Sequence, residues 1–239
     1  MARHWMWFSA LVLLLSHSLR GDEKPAESPA LGEPKGLTKV AKDYDIWIDP
    51  KRKAVIVDGQ VCLREGMLEM FAVPKGTKEH EACVAVNAKP QFVHAALLAV
   101  GAKVGTPVKF NPKYEPATGQ IIDVWVLWRD EQGQNQKVKA QEWIKQTKTG
   151  KPMTYNFVFA GSGFFKDPED NKEYYHADGG DFICVSNFPT ATLDLPVKSS
   201  QDNTDLQFEA NTEKIPAKGT KIRLVLVPRA EEQSEGDKK

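Results

Sequence analysis

Alternation with a period of two runs through most of this chain. The stretches YDIWID, KAVIVDGQVCLR, IIDVWVLW, QKVKAQEWI, NFVFAG, DFICVS, LQFEA and KIRLVLVP either alternate apolar with polar residues or stay apolar over strand lengths. Successive side chains of a strand point to opposite faces, so such runs hide their apolar side only by pairing into sheets that pack on something. Their enrichment in β-branched and aromatic residues fits the same state. The Asp58-Gly59 pair predicts a type I′ hairpin turn, and RDEQGQNQ joins two strand-like runs through a polar loop. One segment breaks the pattern: KPQFVHAALLAVGA reads as a helix, with Pro90 suited to the first turn, Ala and Leu in the body and Gly101 as a natural C-cap. One helix among eight strand candidates predicts a mainly β fold with one packed helix and an α+β tendency, either a β-sandwich or an open-barrel-like single domain.

At 239 residues and 41% hydrophobic, the chain is long enough to bury one substantial core. Lys plus Arg and Asp plus Glu both number 32, which leaves no basic excess to neutralise phosphates and argues against nucleic acid as a partner. The first residues, MARHWMWFSALVLLLSHS, carry Arg3 ahead of an apolar run from Trp5 to Leu15, with Ser16 and Ser18 at suitable cleavage positions. This pattern predicts a signal peptide over residues 1–18. A retained anchor is the alternative, but the run is shorter than the about 20 apolar residues a spanning helix needs. The protein is therefore expected to be exported, periplasmic or secreted, with no transmembrane span after signal cleavage. A Pro- and Gly-rich stretch predicts a flexible leader over residues 19–42, and a charged stretch predicts a disordered tail over residues 229–239. The single domain is expected between them, over residues 43–228.

Export bears on the three cysteines, because oxidising compartments let disulfides persist. Cys62, Cys83 and Cys184 each lie in an apolar run, QVCLR, ACVAV and FICVS. An odd number leaves at least one thiol unpaired in a monomer. Buried thiols, or one disulfide of undetermined pairing, both fit the sequence.

Histidine marks the candidate chemistry. Outside the signal segment the chain has His80, followed by Glu81; His94, on the helix with Leu97 and Leu98 one turn on; and His176, which opens HADGGD. If YYHAD and DFICV pair as an antiparallel hairpin around Gly179-Gly180, Asp178 faces Asp181 across it, and the two like charges repel. A cation, or a Lys or Arg from elsewhere, would relieve that repulsion. His80, Glu81, His94, His176, Asp178 and Asp181 are accordingly the candidate ligands of a divalent metal; no other cofactor is indicated. The other reading is that Asp and Gly are simply what tight turns use. Cys184 is a further candidate, as a nucleophile that would need a nearby base. Other motifs fail on inspection. HEACV has Val84 where a zinc-binding H-E-x-x-H needs its second histidine, FAGSGF departs from G-x-S-x-G at both ends, and no C-x-x-C occurs.

REGMLEMFAV, HEACVAVNAKPQFVHAALLAVGAKVGTPVKF, VWVLW, AQEWI, FAGSGF and YYHADGGDFICVSNFPTATLDLP together resemble the YdjY-like domain family, in the form found among exported planctomycete proteins. The resemblance covers about residues 44–228. It implies one domain, and that the His-Glu, helix-His and DGGD segments belong to its signature. It brings no activity with it; some members are labelled ferredoxin-like, but this chain lacks the clustered cysteines such a label requires. The leading expectation is an exported, non-catalytic domain that binds an envelope ligand or protein, with Trp125, Trp128 and Trp143 either on a binding face or in the core. Its rival is a metal-dependent enzyme, perhaps hydrolytic, built from the six candidate ligands. That rival requires segments nearly a hundred residues apart to meet.

Overall fold

The computed structural model describes residues 31–199 and 205–230. The expected signal peptide, the first part of the leader and all but the start of the tail lie outside the described residues. The first half of the fold holds β1 (Thr38–Lys39), β2 (Ile46–Asp49), β3 (Ala54–Val61), β4 (Met70–Pro74), β5 (Ala82–Val86), helix α1 (Pro90–Ala99), β6 (Ile121–Arg129) and β7 (Asn135–Lys139). The second half holds β8 (Ile144–Gln146), β9 (Phe157–Phe159), β10 (Phe164–Lys166), β11 (Glu173–Tyr175), β12 (Ile183–Cys184), β13 (Leu193–Asp194), β14 (Phe208–Ala210) and β15 (Lys221–Pro228).

Eight of these strands close on themselves in the order β3-β15-β6-β9-β13-β12-β4-β5 and back to β3. The fold is thus mainly β with one helix, as the periodicity predicts. It is a closed barrel rather than a sandwich or an open barrel. Closure depends on two long strands that fork. Along one edge of β3, Ala54 to Val57 pair with β2 while Gly59 to Val61 pair with β5, and β15 takes the whole opposite edge. Along one edge of β6, Ile121 and Ile122 pair with β9 while Trp125 to Arg129 pair with β7.

The hairpin turn expected at Asp58-Gly59 does not form; both residues lie inside β3. Arg223 of β15 donates to both Asp58 carboxylate oxygens, at 2.6 and 2.7 Å, and holds Asp58 in the sheet. Gly59 marks the fork, where a Cβ would stand 2.5 Å from the Ala85 carbonyl oxygen. Only a residue without a side chain lets β5 come that close.

Alternation sorts the residues into two faces. On β6, Ile122, Val124, Val126 and Trp128 are buried, and on β15 Ile222, Leu224 and Leu226 are buried. These join Val55, Val57 and Val61 of β3 in one continuous core, to which α1 adds Val93, Ala96 and Leu97. Trp143 and Trp128 belong to this core, their rings packed edge to face 5.4 Å apart, so neither serves a binding face. Trp125 faces outward instead, with the Lys137 ammonium 4.2 Å from its ring centroid. On the outer side of β2 and β3, Trp47, Ala54 and Ile56 form a smaller cluster against Leu37. Part of the segment expected to be a flexible leader is therefore in the sheet, since Thr38 and Lys39 pair with Ile48 and Trp47.

Candidate functional site

The loop HADGGD is a short 3-10 turn over His176–Gly179 rather than the tip of a hairpin between YYHAD and DFICV. Its two neighbours pair elsewhere, β11 with β10 and β12 with β4 and β13. Asp178 and Asp181 consequently do not face each other. Asp178 reaches the start of α1, where its Oδ1 accepts the Gln91 N–H at 3.0 Å. That contact satisfies one of the donors a helix N-terminus leaves open, and it places a negative charge at the positive end of the helix dipole. Asp181 accepts from the Lys78 ammonium at 2.9 Å and from the Thr190 hydroxyl. Partial burial opposes the Lys78 charge, but the Asp181 carboxylate outweighs it and raises the lysine pKa. The repulsion foreseen across a hairpin does not arise, and Asp181 takes its cation from a lysine 103 residues away. Gly180 adopts φ 141° and lies against the Lys78 stem, where a Cβ would come within 2.9 Å.

Asp178 acts as a cap in trans. Asp178→Ala should cost about 1 kcal/mol in chemical denaturation, and Asp178→Asn, which keeps an acceptor, only a few tenths. Equal losses in the two variants would contradict the capping role.

His94 projects from α1 and is half-buried. Its Nδ1 lies 2.9 Å from the Tyr175 hydroxyl, which stands 2.9 Å from the Gly161 carbonyl and also meets the Thr192 hydroxyl at 3.2 Å. The Tyr175 hydroxyl has one proton, and whether it goes to the Gly161 carbonyl or to His94 Nδ1 follows the histidine tautomer. Burial lowers the His94 pKa against the pull of the Gly161 carbonyl, so the ring is neutral at pH 7. Burial also pushes the Tyr175 pKa far above its ordinary value, which keeps the hydroxyl protonated. Phe159 and Tyr175 pack edge to face on the imidazole, at 4.9 and 5.6 Å between centroids.

Tyr175 ends a hairpin that the sequence reading missed. β10 and β11 pair with Phe164 opposite Tyr175, Phe165 opposite Tyr174 and Lys166 opposite Glu173. Phe164 is 62% exposed, Phe165 41% and Tyr174 41%. His176 stacks on Phe165 at 4.6 Å between centroids, and the Tyr174 hydroxyl donates to Asp170 Oδ2 at 2.5 Å. The signal was available: two aromatic doublets, FF and YY, flank the turn-forming DPEDN.

The six candidate metal ligands therefore come from segments that do meet, but His80 and Glu81 stand beside each other and the other four each have a separate partner. His80 is exposed, with Nε2 3.9 Å from Glu81 Oε2. His94 holds Tyr175, His176 stacks on Phe165, Asp178 caps α1 and Asp181 pairs with Lys78. Among the described residues no group of three or more His, Cys, Asp or Glu side chains is placed to hold a metal ion. Cys184 is fully buried, and its thiol pKa is raised first by burial and then by the Asp194 and Asp181 carboxylates, the reverse of an activated thiolate. A separate open cleft of about 660 Å³ lies near the β3 fork, lined by Lys39, Asp45, Gln60, Asn87 and Lys221 among others.

No helix among the described residues is long and apolar enough to cross a membrane. A family model described as the YdjY domain matches residues 46–227. No curated protein and no solved structure matches the chain.

Proposed function

The chain belongs to the YdjY domain family, and from that premise we propose that it is an exported domain that binds another envelope protein and catalyses no reaction of its own, with the β10–β11 hairpin as its contact surface. The observation that carries this reading is the exposure of three large rings on one small hairpin, Phe165 and Tyr174 paired on one face and Phe164 on the other. Large apolar rings held in water on a well-anchored element mark an interaction site more often than a neutral surface. The residues first read as metal ligands support the hairpin. Tyr175 ties its base to His94 on the helix, His176 backs Phe165, and Asp178 locks the following turn to the start of that helix. A rigid base reduces the ordering cost of binding. Export rests on the N-terminal pattern, whose residues lie outside those described.

Site-specific photo-crosslinking in the host envelope tests the proposal. A photoreactive phenylalanine at position 164 should yield one discrete protein adduct, and the same group at Glu131, in the exposed loop between β6 and β7, should not. Identical adduct patterns from the two positions, adducts with glycan only, or none from position 164 would overturn it.

A further inference from the structure

Strands β3 and β5 run antiparallel, with Gly59 opposite Val86, Gln60 opposite Ala85 and Val61 opposite Val84. β3 ends at Val61, but one step further Cys62 still stands against Cys83, whose carbonyl accepts from the N–H groups of Cys62 at 2.9 Å and of Leu63 at 3.4 Å. Directly opposed residues of an antiparallel pair carry their side chains on one face, with Cα atoms about 5.5 Å apart at a hydrogen-bonded position. That separation falls in the middle of the range a disulfide spans, about 4.4–6.8 Å. In this structure both are buried free thiols, and the Cys62 thiol lies against β5, donating to the Ala82 carbonyl at 3.0 Å.

Cys184 is excluded from pairing with Cys83 by the sheet itself. It lies opposite Met70 of β4, and Met70 lies opposite Ala82 of β5. Two strand spacings of about 4.8 Å each separate Cys184 from β5, beyond the about 7 Å limit for bridging.

We propose that Cys62 and Cys83 are joined by a cross-strand disulfide at the seam where β5 closes the barrel on β3, formed as the chain folds in the presence of a thiol–disulfide oxidant. Meeting such an oxidant in the cell rests on the exported location argued above. In the first step one cysteine thiolate attacks a sulfur of the oxidant's disulfide, forming a mixed disulfide and releasing the other oxidant sulfur as a thiolate. The second cysteine, as thiolate, then attacks the first cysteine's sulfur and expels the remaining oxidant sulfur. Two electrons pass to the oxidant, and the two cysteine protons end on its two thiols. Exchange belongs to the folding chain, because burial pushes the Cys62 pKa up to about 12 in the finished fold and raises that of Cys83 as well.

The test begins with reduced, unfolded protein refolded with oxidised glutathione as the oxidant and then mapped by mass spectrometry without reduction. A linked peptide pair containing Cys62 and Cys83 is expected, together with one titratable thiol per chain in denaturant against three after reduction. Reduction should lower the thermal midpoint of the wild type by roughly 5 °C and leave a Cys62→Ser, Cys83→Ser double variant unchanged. Three free thiols after refolding, or a link that includes Cys184, would overturn the pairing. The same map on protein recovered from its own cell separates the two ideas: a link found after refolding but missing there contradicts export and leaves the pairing intact.

Discussion

Replacing Asp194 with asparagine should remove most of a fall in stability that the wild type shows as the pH rises from about 4 to about 8. Asp194 lies on β13, one of the two-residue strands that complete the barrel, and is fully buried. Its Oδ1 accepts the Leu195 N–H at 2.7 Å and the Asn187 amide at 3.3 Å, while Oδ2 has no hydrogen-bond partner among the described residues. Burial, outweighing these contacts, raises its pKa from 3.8 to about 8, and the Asp181 carboxylate adds to the rise. Cys184 and Tyr114 are the other titratable groups whose pKa values respond to it. The folded state therefore keeps a proton that the unfolded chain releases near its ordinary pKa. The associated stability is complete below that value and is lost as pH climbs through the folded value, by up to about 1.4 kcal/mol per pH unit. Asparagine has the same shape, keeps the accepting oxygen and carries no charge. Urea midpoints measured from pH 4 to pH 9 should fall steeply for the wild type and much less for the variant, which keeps Asp58, Glu69 and Asp178, carboxyl groups whose pKa values burial also raises. Parallel curves would show that Asp194 is not the group responsible. Asp123, whose pKa Arg229 lowers, acts in the opposite sense at more acid pH and is common to both proteins.

A comparable loss is expected from a single methyl group at the fork of β3. In Gly59→Ala the new Cβ meets a backbone oxygen and the Val86 Cα at 3.1 Å, neither of which can swing aside as a side chain would. Either β5 moves off β3 or the strand bends, and the cost is about 3 kcal/mol, at the upper end for overpacked sites. Gly179→Ala is the control, because nothing lies within 4 Å of its Cβ position and its φ is not in the left-handed region. Denaturant titration should separate the two variants clearly. A Gly59→Ala protein within about 0.5 kcal/mol of the wild type would mean the seam tolerates a side chain.

How much of this was legible beforehand can be followed residue by residue. The alternation in IIDVWVLW and KIRLVLVP identified β6 and β15 and their buried faces, because the period belongs to the strand itself. The helix was marked by Pro90 and Gly101 for the same local reason. Asp58-Gly59 misled because the local turn preference is overridden by Arg223, 165 residues away, and by the approach of β5. Closure of the barrel was hidden because it depends on two strands sharing one edge of a third, which no single run of residues encodes. At the site, the sequence named residues whose segments meet but not the neighbours that hold them. Lys78 and Tyr175, which hold Asp181 and His94, lie 103 and 81 residues from them along the chain, so no local pattern announces either pair.

The position of β15 sets the order in which the molecule can assemble. β3 and β6 do not pair with each other; each pairs along its length with β15, which lies between them and is the last strand of the described chain. A chain emerging from the ribosome can build local hairpins and the helix, but its largest sheet has no centre until residues 221–228 arrive. Closing loops of this length is slow, and topologies dominated by distant pairings fold slowly. Until then β3 and β6 have no common partner, and the barrel cannot close. Committed folding would follow only when the C-terminal strand slots between partners made long before it.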